Sequence, residues 1–252
     1  MSEYYKPNKH PGWLFNPNQE NNFKLSRSKI DLFLGCPRCF YLDNRLGVAR
    51  PPGFPFALNS AVDFLLKKEF DIHRAKGQPH PLMRDYGLKA VPFQHEKMNF
   101  WRDALQGGIR YHHQPTNFLL TGAIDDLWKN EQDELIIVDY KATAKNSEIN
   151  IDADWQISYK RQMEIYQWLF RKNDFKVSDT GYFVYVNGKT DKEAFDKKLE
   201  FDVHLIPYKG NDNWIEQTVN DAHNCLTNNE IPQANPDCDF CRYREAVKEV
   251  ER

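Results

Sequence analysis

Long apolar runs are missing from this 252-residue chain. No stretch approaches the roughly 18 to 20 apolar residues that a membrane helix needs, and the opening MSEYYKPNKHPGW lacks the apolar centre of a secretion signal. A soluble, cytoplasmic protein without a membrane partner is the expectation. A dominant charge of one sign is missing too. Formal net charge is -2 and pI about 6.5, so a chain-wide polybasic surface is excluded and any basic patch has to be local. Internal repeats and low-complexity blocks are absent. Cysteine is scarce, with only five residues, yet Cys36, Cys39, Cys238 and Cys241 fall into two C-x-x-C pairs. In a reducing compartment that pattern points to metal ligands before disulfides.

What is present is material for a core. With 40% hydrophobic and 14% aromatic residues, the chain can build one substantial core, or a core with an appended subdomain. Residues 1–24 are polar and proline-containing and read as an irregular arm. Ser26 can cap a helix through Ile30 and Phe33 that Gly35 and Pro37 stop. Apolar spacing predicts a helix over about 58–75, and a weaker one over 95–106. Residues 117–129 and 134–142 read as strands joined by the polar turn NEQDE. A helix over 153–172, the strands GYFVYVNG and KLEFDVHLIPY, and a helix through Trp214 and Leu226 follow. Helices flanking a mixed sheet in the order α, β, β, α, β, β imply an α/β or α+β domain.

The hairpin carries acids where strands disfavour them. Side chains alternate along a strand, so in LIIVDYKAT the residues Leu135, Ile137, Asp139 and Lys141 share one face. A hairpin of this length brings Asp125 of TGAIDDLW near Asp139. Two carboxylates about 4 Å apart repel by roughly 4 kcal/mol at an effective dielectric of about 20, and a shared divalent cation relieves them. Carboxylates with open positions for water suit Mg or Mn, which lower the pKa of a bound water and stabilise charge on a phosphate. Lys141 is placed to orient the nucleophile or contact the phosphate. Taken alone, the pattern equally fits a surface hairpin with a solvated Asp139–Lys141 pair.

Gly122-x-x-Asp125, Asp139-x-Lys141 and Gln162-x-x-x-Tyr166 together resemble the PD-(D/E)XK nuclease superfamily, over residues 25–247. Within it they are most similar to the branch of RecB-type exonuclease domains and CRISPR-associated nucleases that trim spacer precursors. The resemblance implies a restriction-endonuclease-like core, with Asp125 and Asp139 as metal ligands, Lys141 as the catalytic lysine, and Gln162 and Tyr166 facing the active site. The branch has a metal-binding His on its early helix. The corresponding stretch here is Asn59–Asp63, so Asp63 is the candidate third ligand, with Glu69 as an alternative and His73 a poor substitute.

The cysteine pairs lie in turn-like sequence at opposite ends of this core and predict a four-thiolate clasp joining the N- and C-terminal segments, with 25–50 and 213–247 as a cysteine subdomain of one domain over 25–252. Iron-sulfur members of the branch place one early Cys with three late ones. Here Val247 stands where the third late Cys would fall and Cys39 supplies a second early one, so the resemblance implies a 4Fe-4S cluster while the chemistry fits structural zinc nearly as well. Cys225 reads as a buried free thiol. Tyr159, Lys160, Arg161, Tyr166 and Trp168, with Arg38 and Arg45, interleave charge and aromatics in a way that suits a single-stranded path, or an ordinary helix with an aromatic core face.

The expected function is therefore a Mg- or Mn-dependent deoxyribonuclease, working as an exonuclease on single strands or DNA ends in repair, recombination or mobile-element and CRISPR DNA processing. A helicase or another DNA-processing protein is an expected partner. Two rival readings stand beside it: a nucleic-acid-binding module of the same fold without turnover, and a zinc-clasped interaction protein.

Overall fold

The computed structural model describes residues 11–53 and 56–251, so the first ten residues of the expected arm lie outside the described residues. In chain order the elements are β1 (Phe23–Ser26), α1 (Arg27–Gly35), α2 (Pro37–Asn44), α3 (Ala57–Lys76), α4 (Pro81–Asp85), β2 (Ala90–Pro92), α5 (Met98–Arg102), β3 (Ile109–His113), β4 (Phe118–Gly122), β5 (Asp126–Asn130), β6 (Leu135–Thr143), α6 (Ile157–Arg171), β7 (Thr180–Gly188), β8 (Phe201–Lys209), α7 (Ile215–Thr227) and α8 (Asp239–Val250). Short 3-10 turns cover Pro11–Trp13 and Asp154–Gln156. Helices and two mixed sheets give the α/β class that the hydrophobic patterning predicts. No helix among the described residues is long and apolar enough to cross a membrane.

The chain divides into two compact units. One comprises residues 1–54, 111–121 and 213–252, the other 55–110 and 122–212. The first contains the sheet β1-β4-β3, in which β1 and β4 run parallel, together with α1, α2, α7 and α8. Its aromatic centre is built from Phe15, Phe23 and Phe118, whose rings meet at 5.4 to 6.0 Å. Ser26 stands at the N-cap of α1 as expected, but its hydroxyl bonds Ser28 Oγ at 2.9 Å and makes no cap bond to the helix backbone.

The second unit holds the five-stranded sheet β2-β5-β6-β7-β8. β6 is central, antiparallel to β5 and parallel to β7, and its first six residues are all buried. That double burial explains a nearly continuous apolar run. The even face of β6 packs on α3: Phe70 of α3 stacks with Trp128 of β5 at 5.3 Å and meets the Tyr140 ring, tilted, at 5.7 Å, over Ile136 and Val138. The odd face meets α6. α3 spans 20 residues and ends at Gly77 in the left-handed region (φ 59°), with His73, Arg74 and Lys76 in its last turn opposing the helix dipole.

The expected strand over 117–129 is two strands in two sheets. β4 ends at Gly122, residues 123–125 cross over, and β5 starts at Asp126. Gly122 marks the crossing because a Cβ there would stand 2.6 Å from Cε1 of Tyr166, so only glycine lets the tyrosine ring lie against the chain. The weak helix expected over 95–106 is reduced to the five residues of α5, stopped at Asp103, whose backbone is extended (ψ 106°).

Candidate active site and cysteine centre

Asp139 is fully buried at the middle of β6, where an ionised carboxylate needs compensation. Two side chains supply it, and they are bonded to each other. Gln162 Nε2 donates to Asp139 Oδ1 at 2.6 Å, the Lys141 ammonium forms an ion pair with Oδ2, and Lys141 Nζ donates in turn to Gln162 Oε1 at 3.4 Å. Gln162 Nε2 also reaches the hydroxyl of Tyr166 at 3.2 Å, so one turn of α6 ties both motif residues to Asp139. The Lys141 ammonium lies 4.4 Å from the centre of the Tyr159 ring, whose face attracts a cation.

Asp125 lies outside any strand, yet its carboxylate is held against β6: the amide of Tyr140 donates to Asp125 Oδ2 at 2.8 Å. This puts it beside the backbone between Asp139 and Lys141. Asp63, on α3, joins from another direction through a residue the sequence reading did not select. Lys67 Nζ donates to Asp63 Oδ2 at 2.8 Å and sits 3.3 Å from Asp125 Oδ1, bridging the two acids. Burial and the Asp125 charge raise the pKa of Asp63, with Lys67 opposing them. Burial alone would lower the pKa of Lys67, but Asp125 and Asp63 outweigh it and the ammonium is held protonated more firmly than usual. The signal for Lys67 was available: Asp63 and Lys67 are an i,i+4 pair. Glu69 points elsewhere, its Oε1 lying 2.8 Å from His80 Nε2, and His73 packs edge-on to His80.

Among the described residues, the four cysteines are the one group of three or more acidic, histidine or cysteine side chains whose ligand atoms all lie within 4.8 Å of one another. Asp63, Asp125 and Asp139 stand wider than that. Three carboxylates opposed by the two ammonium groups of Lys67 and Lys141 leave one negative charge over, and all their donors are hard oxygens, so this set fits Mg or Mn.

Asp126, next to Asp125, has a different task. It is fully buried, and its carboxylate accepts bonds from Arg102 Nη2 at 2.9 Å, the Tyr140 hydroxyl at 2.9 Å, Trp128 Nε1 at 3.2 Å and Arg74. Arg102 Nε also donates to the backbone carbonyl of Asp125 at 2.9 Å. The network thereby fixes the crossing from which Asp125 projects.

The cysteine pairs do not lie in turns. Cys36 and Cys238 are the N-caps of α2 and α8, and Cys39 and Cys241 sit three residues on, in the first helical turns. C-x-x-C at that position sets both sulfurs on one side of a helix start, where free amides and the positive dipole end favour thiolates. Sγ separations are 3.9 Å for Cys36–Cys241, 3.6 Å for Cys39–Cys238 and 3.7 Å for Cys39–Cys241, all four residues are buried, and all are free thiols. Arg50 Nη2 donates to Cys238 Sγ at 3.2 Å. Burial pushes the Cys36 thiol up, but hydrogen bonds from the backbone of Cys39 and Asn235 and from Cys238 and Cys39 outweigh it and bring the thiol down to about 7. Burial raises Cys39 and Cys241. Val247 stays outside the sulfur cluster, which is completed by Leu32 and Ala234.

Of the residues offered for a single-stranded path, Tyr166 and Trp168 are 3% and 6% exposed and belong to the core, whereas Tyr159, Lys160 and Arg161 are half-buried. Arg45 is engaged by the Phe15 carbonyl at 3.2 Å.

The model of the PD-(D/E)XK nuclease superfamily matches residues 24–246. No curated protein matches the chain. Among solved structures it is similar to one titled "Crystal structure of SSO0001", at 15% identity over 91% of this chain and 87% of that one, with a TM-score of 0.41. The chain belongs to the PD-(D/E)XK nuclease superfamily, whose members are metal-dependent nucleases.

Proposed function

We propose that the protein is a Mg- or Mn-dependent deoxyribonuclease of the RecB-like branch, acting as an exonuclease on single strands or exposed ends in repair, recombination or mobile-element DNA processing. The observation that carries this reading is the fully buried Asp139 with Lys141 and Gln162 bonded to it, in a chain of this superfamily. Asp125 and Asp139 would hold the divalent ion, with Asp63 as the third carboxylate. When bound, such an ion supplies Lewis-acid stabilisation of the phosphate and a more acidic water. The chain's own residues do the rest. Gln162 fixes the orientation of the Asp139 carboxylate, Lys141 presents an ammonium where a phosphate or attacking water comes to rest, and the Tyr159 ring keeps that ammonium in place.

Lys67 favours a second reading. Its ammonium already satisfies Asp63 and Asp125, as expected of a module that binds nucleic acid without cutting it. Labelled single-stranded and duplex DNA incubated with Mg or Mn separates the two. Metal-dependent shortening that EDTA stops supports the nuclease, and binding without any cleavage in either metal overturns it.

For the cysteine centre the fit favours one ion over a cluster. Four sulfurs at about 2.3 Å from a tetrahedral zinc lie about 3.8 Å apart; three of the six separations here are 3.6 to 3.9 Å and all six are within 4.8 Å. A four-iron cluster carries each thiolate on a different iron and has to hold the sulfurs farther apart. The close spacing supports structural zinc over the 4Fe-4S cluster that the resemblance implies, and zinc is the reading we adopt, holding residues 25–50 and 213–247 together as a cysteine-clasped subdomain.

A further inference from the structure

Trp155 is 57% exposed, an unusual state for the largest apolar side chain. It is not there because its backbone is loose. It sits in the 3-10 turn Asp154–Gln156, and the next residue, Gln156, is fully buried, accepting from the Ala153 amide at 3.0 Å and donating to the Asn150 carbonyl at 3.1 Å. The indole is thus presented on a locked turn. Its neighbours are an ammonium and an aromatic ring: Lys145 Nζ lies 5.5 Å from the indole centre, and Tyr159 meets it edge-on at 5.4 Å. Lys145 is itself pinned, its amide and carbonyl both bonded to the side chain of Asn187 at 2.8 and 3.0 Å. The same Tyr159 ring carries the Lys141 ammonium at 4.4 Å. One ring therefore separates an exposed indole from the candidate catalytic lysine, and a second cation flanks it.

We propose that Trp155 stacks an unpaired nucleobase beside the phosphate held at Lys141, with Lys145 on a neighbouring phosphate, and so selects single-stranded DNA. The proposal rests on the nuclease reading of Asp139 and Lys141 for its orientation. A base inside a duplex has both faces occupied and must be unstacked before an indole can take it, whereas a base in a single strand offers a face at once.

The test is binding in the absence of divalent metal, so that hydrolysis plays no part. A fluorescein-labelled oligothymidine, and a set carrying one abasic nucleotide at each position in turn, are titrated with the full chain and read by anisotropy. Trp155→Ala is expected to lose about tenfold in affinity for the intact strand, and Trp155→Phe under about threefold. One abasic position should cost the wild type a similar factor and cost Trp155→Ala nothing further. Wild-type affinity in Trp155→Ala, losses that multiply at every abasic position, or an equal loss on blunt duplex would each overturn stacking. A protein that shows this cycle yet never cuts DNA with Mg or Mn overturns the nuclease reading and leaves the stacking site standing.

Discussion

Asp139 shows how one buried charge organises a site. Its carboxylate has no access to water, so the free energy of keeping it ionised comes from Lys141 and from the amide of Gln162. Removing either member of the Asp139–Lys141 pair should abolish the chemistry even where the fold is kept. Lys141→Met and Asp139→Asn are each expected to lower the rate of DNA hydrolysis about hundredfold or more while the far-ultraviolet spectrum stays native; variants cutting at the wild-type rate would place the reaction elsewhere. Lys67 acts in the opposite sense. Its ammonium occupies the space between Asp63 and Asp125, so Lys67→Met should tighten manganese binding about tenfold, or ~1.4 kcal/mol, seen as a larger rise in melting temperature at a given Mn concentration. An unchanged shift would mean that metal and ammonium do not share the place. Cys225 makes a chemical prediction: burial pushes its thiol up to about 11. At pH 8 its thiolate is a small fraction, so alkylation should run on the order of a hundredfold slower than for an ordinary thiol, speeding up as pH approaches 11. Peptide mapping after iodoacetamide treatment reads this directly.

Elements were legible in the sequence where burial follows a simple period. Alternation put Asp139 and Lys141 on one face of β6, and they share that face against α6; apolar spacing put a helix over 58–75, and α3 covers Ala57–Lys76. Legibility failed where a single close contact overrides the pattern. Residues 117–129 have strand composition throughout, but the Tyr166 ring resting on Gly122 sends the chain from one sheet to another, which no local period records. It failed also for α8: Phe240, Tyr243, Val247 and Val250 fall at helical spacing, but the C-x-x-C pair at its start reads locally as a turn, and the one residue the helix buries is Cys241. Trp155 was missed because its exposure is set by neighbours distant in sequence; Lys67 could have been found from its i,i+4 spacing to Asp63, but its bridge to Asp125 could not. Asp126 is the converse case, an acid that needed no metal role and carries a structural one. Asp126→Ala takes one of two carboxylates from the buried guanidinium groups of Arg74 and Arg102, which keep Asp71, and leaves the Tyr140 hydroxyl and Trp128 Nε1 without this acceptor, so it should cost about 2–3 kcal/mol in urea unfolding. A loss under about 1 kcal/mol would show that water replaces the carboxylate at little cost.

At the scale of the whole molecule the cysteine centre brings together α2 and α8, which lie far apart in the chain. α2 and α8 present their first turns to one another with four buried sulfurs between them, and α8 contributes only Cys241 to a buried surface. A helix so placed has little hydrophobic burial to hold it, so on the zinc reading proposed above the bonds of its two thiolates to the ion would supply the attachment. Metal analysis of protein purified without added metal should therefore give one zinc per chain and a colourless solution; a brown protein with iron and sulfide would establish the cluster and require the sulfurs to spread from their present 3.6 to 3.9 Å. Chelation supplies the structural readout. Stripping the ion at neutral pH should abolish hydrogen-exchange protection across Asp239–Val250 and the first turn of α2, while the backbone amides of α7, whose Ile215, Val219, Ala222 and Leu226 are buried, keep theirs. Protection of α8 that survives chelation would mean that packing around Cys241 is enough to hold it, and the clasp would lose its role as the anchor of the C-terminal segment.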